Sequence, residues 1–179
     1  MYTQPGEKGR RVDTNYFEVD EQGAQTLGVK LIAGRDLDAS AVLKPGRNSS
    51  DFVSEMLVTK AVADELYPGE SAVGKPVYTG LGQPVTIVGV IDHMLGSWPS
   101  WEKVGNVILV PRFADENQAR YMVRAAPGQR DALMQAADAA LSKVDNGRVI
   151  LRERALRYYS DAVYADDRAM ALYMAVVVA

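Results

Sequence analysis

Residues 85–91 read Val-Thr-Ile-Val-Gly-Val-Ile, and every one of them except Gly89 is β-branched. Such a run predicts a β-strand that is buried on both faces. Gly89 predicts a bulge in this strand or a close approach of another backbone. A shorter strand is predicted at residues 76–78, and the turn-like link 79–83 joins the two. The sequence therefore predicts a β-hairpin here.

A strand followed by a helix is predicted upstream of this hairpin. Met56–Val58 is a short apolar run typical of a strand, and Thr59 stands where it can cap a helix. The helix places three apolar side chains on one face, at Val62, Ala63 and Leu66. It ends at Tyr67-Pro68-Gly69.

The C-terminal third predicts a strand, a helix and a second strand. The strands are Tyr121–Ala125 and Val149–Leu151. The helix between them carries an apolar stripe of Ala132, Leu133, Ala136, Ala137, Ala140, Leu141 and Val144. Such a unit forms parallel pairing through a right-handed crossover. We therefore assign the chain to the α/β (α+β) class.

The N-terminal segment predicts a tail, a strand and a short helix. Residues 1–11 contain two glycines and three basic side chains, which are typical of a solvated tail. A strand is predicted within Val12–Val19, and a helix over Glu18–Leu27 with Gly28 as its C-terminal cap.

Composition excludes several classes of function. The chain has 179 residues, of which 47% are apolar, so it can form a core without metal or disulfides. It has no cysteine, which excludes disulfides and thiolate chemistry, and one histidine, which leaves a histidine metal site without partners. The net charge is −3, and basic residues are interspersed with acidic ones and form no stripe. We therefore expect no nucleic-acid partner.

Two motifs have the appearance of chemical sites. Gly69–Lys75 resembles a phosphate-binding loop, but Pro76 and a predicted strand follow it where a helix would be required. Asp92 and His93 follow the buried strand, where they could form a general base with an orienting carboxylate or merely a polar turn. We therefore assign no catalytic, cofactor-binding or metal-binding residue and expect no cofactor.

Both tryptophans, Trp98 and Trp101, flank Pro99 in a predicted loop. If exposed, they would mark a contact surface for a partner or for the membrane interface. If buried, they would fill the core beneath the loop. The sequence leaves both interpretations open, and Trp98 and Trp101 are our candidates for partner contact.

The run Ala169–Ala179 carries no charge. It is about half as long as the ~20 apolar residues that a transmembrane helix requires. It is therefore either an ordinary C-terminal helix or the beginning of a membrane span.

Several segments together resemble the periplasmic core domain of MacB/FtsX-type ABC transporter permeases. They occur in the order Asn15-Tyr16-Phe17, Leu27-Gly28-Val29, Ala33-Gly34-Arg35-Asp36, Leu57-Val58-Thr59-Lys60 with Ala63, Leu66 and Tyr67, Ala72-Val73-Gly74-Lys75, Val85–Asp92, Val110-Pro111 and Met122-Val123-Arg124-Ala125. In that family the domain lies between the first and second transmembrane helices of a four-helix permease.

The resemblance implies a division of the chain into two lobes. Residues 1–37 and 105–158 would form a porter-like α/β lobe, and residues 38–104 an inserted, smaller, mostly β lobe. Residues 159–179 would be a helix that leads into a truncated transmembrane helix. The candidate contact loops would be 38–51 and 95–104.

The resemblance also implies the function. The domain would not be an enzyme, and ATP would be hydrolysed on a cytoplasmic nucleotide-binding domain, fused or separate. The domain would transmit ATP-driven motion and dock a partner or an export substrate at the periplasmic face of the bacterial inner membrane. The expected partners are the nucleotide-binding subunit, a second permease copy and a periplasmic adaptor or substrate protein. The alternatives are an extracytoplasmic ligand-binding or sensor domain, and a hydrolase that uses Asp92 and His93.

Overall fold

The computed structural model describes residues 1–44, 52–80, 82–113, 120–144 and 154–178. These residues form two compact units, Met1–Arg124 and Ala125–Ala179. The first unit is built on one mixed sheet, whose strands are β1 (Tyr2–Gln4), β2 (Lys8–Arg11), β3 (Asn15–Val19), β4 (Leu31–Gly34), β5 (Glu55–Thr59), β6 (Pro76–Tyr78), β7 (Pro84–Ile91) and β8 (Val107–Pro111). Its helices are α1 (Gly23–Leu27) and α2 (Lys60–Leu66), with a short 3₁₀ turn at Ala39–Ala41.

The strand order is β2-β1-β6-β7-β5-β8-β3, and β4 pairs with β7 outside this path. Strands β5 and β7 are parallel, and so are β3 and β8. The hairpin predicted at residues 76–91 is present as the antiparallel pair β6 and β7. The mixed α+β class is confirmed.

Strand β7 has more than one partner along one of its edges. Strand β5 pairs with it from Thr86 to Ile91. On the other edge β6 pairs with the first residues of β7 and β4 with the last ones. The predicted bulge is present, since Met56 lies opposite Ile87 while Leu57 lies opposite Gly89. Val88 is therefore the extra residue.

Position 89 requires a glycine because another stretch of backbone lies directly against it. A Cβ at Gly89 would stand 2.3 Å from the carbonyl oxygen of Arg35. Gly34, with φ of +75°, meets the same constraint, because its Cβ would stand 2.2 Å from the carbonyl oxygen of Val88. The close approach that the sequence predicted at Gly89 is confirmed.

The sheet is covered on both faces, as the β-branched run predicts. On one face, α2 contributes Val62, Ala63 and Leu66 to a cluster that includes Val58 and Ile87. On the other face, Ala24 of α1 belongs to a cluster that is completed by Leu37, Leu57, Ile91, Val107 and Leu109. The central strands are buried because each face has its own apolar layer.

A buried carboxylate attaches the end of β4 to the start of β5. Glu55 is 8% exposed, and both of its oxygens accept hydrogen bonds from the Arg35 guanidinium, one of them at 3.1 Å. A forked pair of this kind fixes geometry as well as charge. The segment that follows β4 is thereby held against the sheet.

The N-terminal tail expected at residues 1–11 is instead the hairpin β1–β2, and that expectation is wrong. Strand β1 continues the sheet through the pair Tyr2 and Tyr78. All four residues of β2 are exposed. A hairpin without a buried face leaves no hydrophobic alternation in its sequence, and this is why the pattern did not indicate it.

The second unit contains α3 (Arg130–Val144), α4 (Leu156–Val163) and α5 (Ala165–Val178). Helix α3 confirms the predicted apolar-striped helix.

The strand expected at Tyr121–Ala125 is absent, and that expectation is wrong, since Tyr121, Met122 and Val123 are exposed and no described strand pairs with them. The strand expected at Val149–Leu151 lies outside the described residues.

The division into two lobes stays a prediction. The structure shows that β5, β6 and β7, which come from residues 38–104, share one sheet with β3 and β8 from the flanking segments. Among the described helices, none combines the length and apolar character that a membrane crossing requires.

We expect Gly89→Ala to lower the free energy of unfolding by about 1–3 kcal/mol, because the added methyl must displace a backbone carbonyl. Chemical denaturation of the chain measures this. Gly105→Ala is the control, since nothing lies within 4 Å of its Cβ position, and it should change stability by less than about 0.5 kcal/mol. Equal effects of the two substitutions would contradict the steric argument.

Candidate functional site: the tryptophan loop

The tryptophan loop, residues Gly96–Gly105, connects β7 to β8 and carries both tryptophans of the chain. Its base is closed by the Gly96 N–H, which donates to the Val104 carbonyl at 2.7 Å. Inside it, the Trp101 N–H donates to the Trp98 carbonyl and the Val104 N–H to the Trp101 carbonyl, both at 3.0 Å. The loop is thus a closed structure with its own backbone hydrogen bonds.

Trp98 points into solvent, with 69% of its surface exposed, whereas Trp101 is half-buried. Leu95, just before the loop, is also exposed. Trp98 therefore does not fill the core beneath the loop. Large apolar side chains held at the surface are typical of contact sites. The partner-contact role of Trp98 and Trp101 stays a prediction.

Helix α2 is linked to the tryptophan loop through Glu65. The Lys103 ammonium donates to one oxygen of the Glu65 carboxylate. The buried amide of Asn106 donates to the other at 2.9 Å and also lies 3.3 Å from the Asp13 carbonyl oxygen. One carboxylate thus fixes two points at the C-terminal side of the loop.

These two donors hold the pKa of Glu65 below its ordinary value, with the bond from Lys103 the larger cause. Partial burial and the negative charge of Asp13 act in the opposite direction. The ionised form of Glu65 is therefore the one that the folded protein stabilises.

Thr59 braces the same loop instead of capping α2. It occupies the N-cap position, but its side chain makes no capping hydrogen bond, so the predicted cap is wrong in this respect. Its buried hydroxyl donates to the Gly105 carbonyl at 2.8 Å and accepts from the Val107 N–H at 3.2 Å. The hydroxyl thus satisfies the hydrogen-bonding needs of two backbone groups in the adjacent segment, just where β8 begins.

Asp92 and His93 do not form an enclosed site. The His93 side chain is 85% exposed, and its Nδ1 lies 3.5 Å from the Asp92 carboxylate. Within the described ranges, no three His, Asp or Glu side chains converge where a metal ion could bind. The arrangement has the geometry of a polar turn after β7.

In the segment Gly69–Lys75, the amides of Gly74 and Lys75 donate hydrogen bonds within the protein. The Gly74 N–H donates to the Ile87 carbonyl at 2.7 Å and the Lys75 N–H to the Ala72 carbonyl at 3.1 Å. The Lys75 ammonium pairs with Glu70 and lies 4.4 Å from the centre of the Tyr67 ring. These groups are engaged within the protein and do not face a common anion site.

A shallow depression of about 380 Å³ lies beside this segment. It is lined by Gly34, Arg35, Val73, Gly74, Thr86, Ile87 and Val88. Its lining is mostly backbone and aliphatic surface at the junction of β4 and β7, with no titratable side chain besides Arg35.

A family model for the MacB-like periplasmic core domain matches residues 2–140. The chain belongs to this family. It is thus a periplasmic domain of a MacB-like ABC-type transporter, which implies an extracytoplasmic location. No curated protein matches the chain.

Two solved structures resemble the domain. One is the periplasmic region of MacB from Actinobacillus actinomycetemcomitans, at 16% identity and a TM-score of 0.51, over 78% of this chain and 60% of that one. The other is the extracellular domain of the noncanonical ABC-type transporter YknZ from Gram-positive bacteria, at 21% identity and a TM-score of 0.43, over 58% of this chain and 46% of that one. The MacB structure supports the fold. The chain spans between about half and three-fifths of these domains.

Sequence reasoning identified the tryptophans but missed the residues that brace their loop. Glu65 stands in an acidic pair on α2, which is typical of a solvated face, and Lys103 lies 38 residues away. Their contact depends on how α2 packs against the sheet. The sequence therefore indicated only that α2 has a polar face. It could not indicate which residue Glu65 contacts.

We expect Thr59→Val to lower the free energy of unfolding by about 1–3 kcal/mol, because it leaves the Gly105 carbonyl and the Val107 N–H without their buried partner. Thr59→Ser keeps the hydroxyl and should cost less than about 1 kcal/mol. Thermal or chemical unfolding distinguishes them. A loss for Thr59→Ser at least as large as the loss for Thr59→Val would contradict the role assigned to the hydroxyl.

We expect the ionised Glu65 to stabilise the fold above the ordinary glutamate pKa and to lose this effect as the pH falls through its depressed folded pKa. The difference in unfolding midpoint between the wild type and Glu65→Gln should therefore shrink in acid. Unfolding curves recorded from neutral pH down to strongly acidic pH measure it. A difference that grows as the pH falls would contradict the assignment.

Proposed function

We propose that the chain is the part of an ABC-type permease that docks a partner or an export substrate and transmits ATP-driven conformational change to it. The observation that supports docking is Trp98, an exposed tryptophan on a loop that is held to the sheet and to α2. An anchor that is already ordered loses little entropy on binding. The family match supports the transporter setting.

The remaining parts of the proposal follow from the transporter setting. ATP is hydrolysed on a nucleotide-binding subunit or domain outside this chain, and the chain itself has no enzymatic role. The permease works with a second copy of itself and with a periplasmic adaptor or substrate protein. It sits at the periplasmic face of a bacterial inner membrane. The loop 38–51 is a second contact candidate, of which residues 45–51 lie outside the described residues.

Substituting both Trp98 and Trp101 by alanine tests the docking role. In the full-length transporter, expressed in a strain from which its gene has been deleted, we expect export to fall several-fold while protein level and basal ATP hydrolysis stay unchanged. The isolated chain with both substitutions should keep its circular dichroism spectrum, because Trp98 is exposed, Trp101 is only half-buried, and neither belongs to the two apolar clusters of the sheet.

Tyr121→Ala is the matched control, since Tyr121 is as exposed as Trp98 and lies outside the tryptophan loop. It should leave export unchanged. Normal export by the double tryptophan variant would refute the docking role of the loop. Unfolding of the double variant would instead assign Trp101 to the core.

A further inference from the structure

We propose that Glu65 of α2 is a latch that sets the position of the tryptophan loop and thereby how Trp98 is presented. This inference concerns the positioning of the proposed docking loop, and only its significance for transport rests on the proposed function. Glu65 is a positioning residue, because it acts on the tryptophans through other side chains.

The latch is defined by its two hydrogen bonds. Lys103 is part of the tryptophan loop, two residues after Trp101, and Asn106 follows the loop directly. The N-terminal side of the loop is attached to the C-terminal side through the bond from Gly96 to Val104. A shift of the Lys103 end is therefore passed on to the whole loop.

The other attachments of the loop lie at its base. The Thr59 hydroxyl holds Gly105, and the Asn15 side chain lies against Gly96, where a Cβ would come within 2.2 Å of its amide nitrogen. Both Thr59 and Asn15 belong to strands of the sheet. Glu65 thus links the loop to a helix, α2, at a point away from its base.

The strength of the latch suits reversible release. Lys103 and Glu65 are partly exposed, at 42% and 35% of their side chains. Ion pairs of such exposure contribute little to global stability. Breaking the pair should therefore free the loop without unfolding the sheet, whose core does not include either side chain.

The two tryptophans make the latch measurable, because all tryptophan emission of the chain comes from this loop. In a Trp98→Phe background, the half-buried Trp101 is the only tryptophan, and excitation at the red edge of its absorption avoids the tyrosines. We expect Glu65→Gln to raise the acrylamide quenching constant of Trp101 by at least about 1.5-fold and to lower its anisotropy, since local opening exposes partly buried groups. Lys103→Met should produce the same change.

Asp64→Asn is the matched control. It removes a carboxylate from the adjacent position of α2, where Asp64 pairs with Lys60 and not with the loop. It should leave quenching unchanged. The double variant Glu65→Gln with Lys103→Met should show no more quenching than Glu65→Gln alone, because Lys103 acts on the loop through the Glu65 carboxylate that this variant has already removed.

Each outcome decides the proposal. Unchanged quenching in folded Glu65→Gln and Lys103→Met, or additive effects of the two, would overturn the latch. If Glu65→Gln failed to fold, Lys103→Met alone would give the answer, since it leaves the α2 carboxylate in place. Increased quenching in Glu65→Gln together with normal export by the full-length transporter that lacks both tryptophans would support the latch while contradicting the docking function of the loop.

Discussion

The two edges of β7 impose the constraint on which the rest of the first unit depends. A buried strand must pair its backbone groups on both sides. Strand β5 satisfies one edge, but the other is shared by β6 and β4, neither of which is as long as β7. Where one partner replaces the other, the Val88 carbonyl accepts from the Arg35 N–H at 3.0 Å, and the Ile87 N–H donates to the Lys75 carbonyl at 3.0 Å. This junction fits only because Gly89 and Gly34 have no side chains.

Three of the segments that carry the family resemblance belong to this junction: Ala33–Asp36, Ala72–Lys75 and the strand Val85–Asp92 itself. Ala33–Asp36 contributes Gly34, the Arg35 N–H that reaches Val88, and the guanidinium that pairs with Glu55. Ala72–Lys75 contributes Gly74 and Lys75, whose backbone groups bond with Ile87. The glycine and lysine that resemble a phosphate-binding loop thus serve strand pairing. A motif of this kind identifies a fold and carries no information about a ligand.

The sequence predicted the parts of the structure that depend on local patterns. The β6–β7 hairpin, the bulge at Gly89 and the buried face of α2 all follow from β-branched runs, glycine or helical spacing. The β1–β2 hairpin could not be predicted in this way, since its strands bury no face of their own. The role of Thr59 was missed because an N-cap position and a brace for β8 require the same residue type, and only the packing of residues 105–107 against β5 distinguishes them. Tyr121–Ala125 has the composition of a strand, but no described strand pairs with it. A suitable composition alone does not produce a strand, because a strand also requires a partner that supplies backbone hydrogen bonds.

The sheet and the tryptophan loop are held in place by different kinds of contact. The junction at β7 depends on backbone contacts that tolerate no added atom at two glycines, so the sequence there is restricted by sterics. The loop is held by side-chain hydrogen bonds that Lys103 and Asn106 donate to Glu65 and that Thr59 donates to Gly105, and none of these groups takes part in the junction. Under the proposed docking role, substitutions in the loop would therefore alter what the domain contacts while the sheet stays the same. Membership of the family thus defines the scaffold, whereas the proposed docking role directs the search for a partner to the few side chains that hold and surround Trp98.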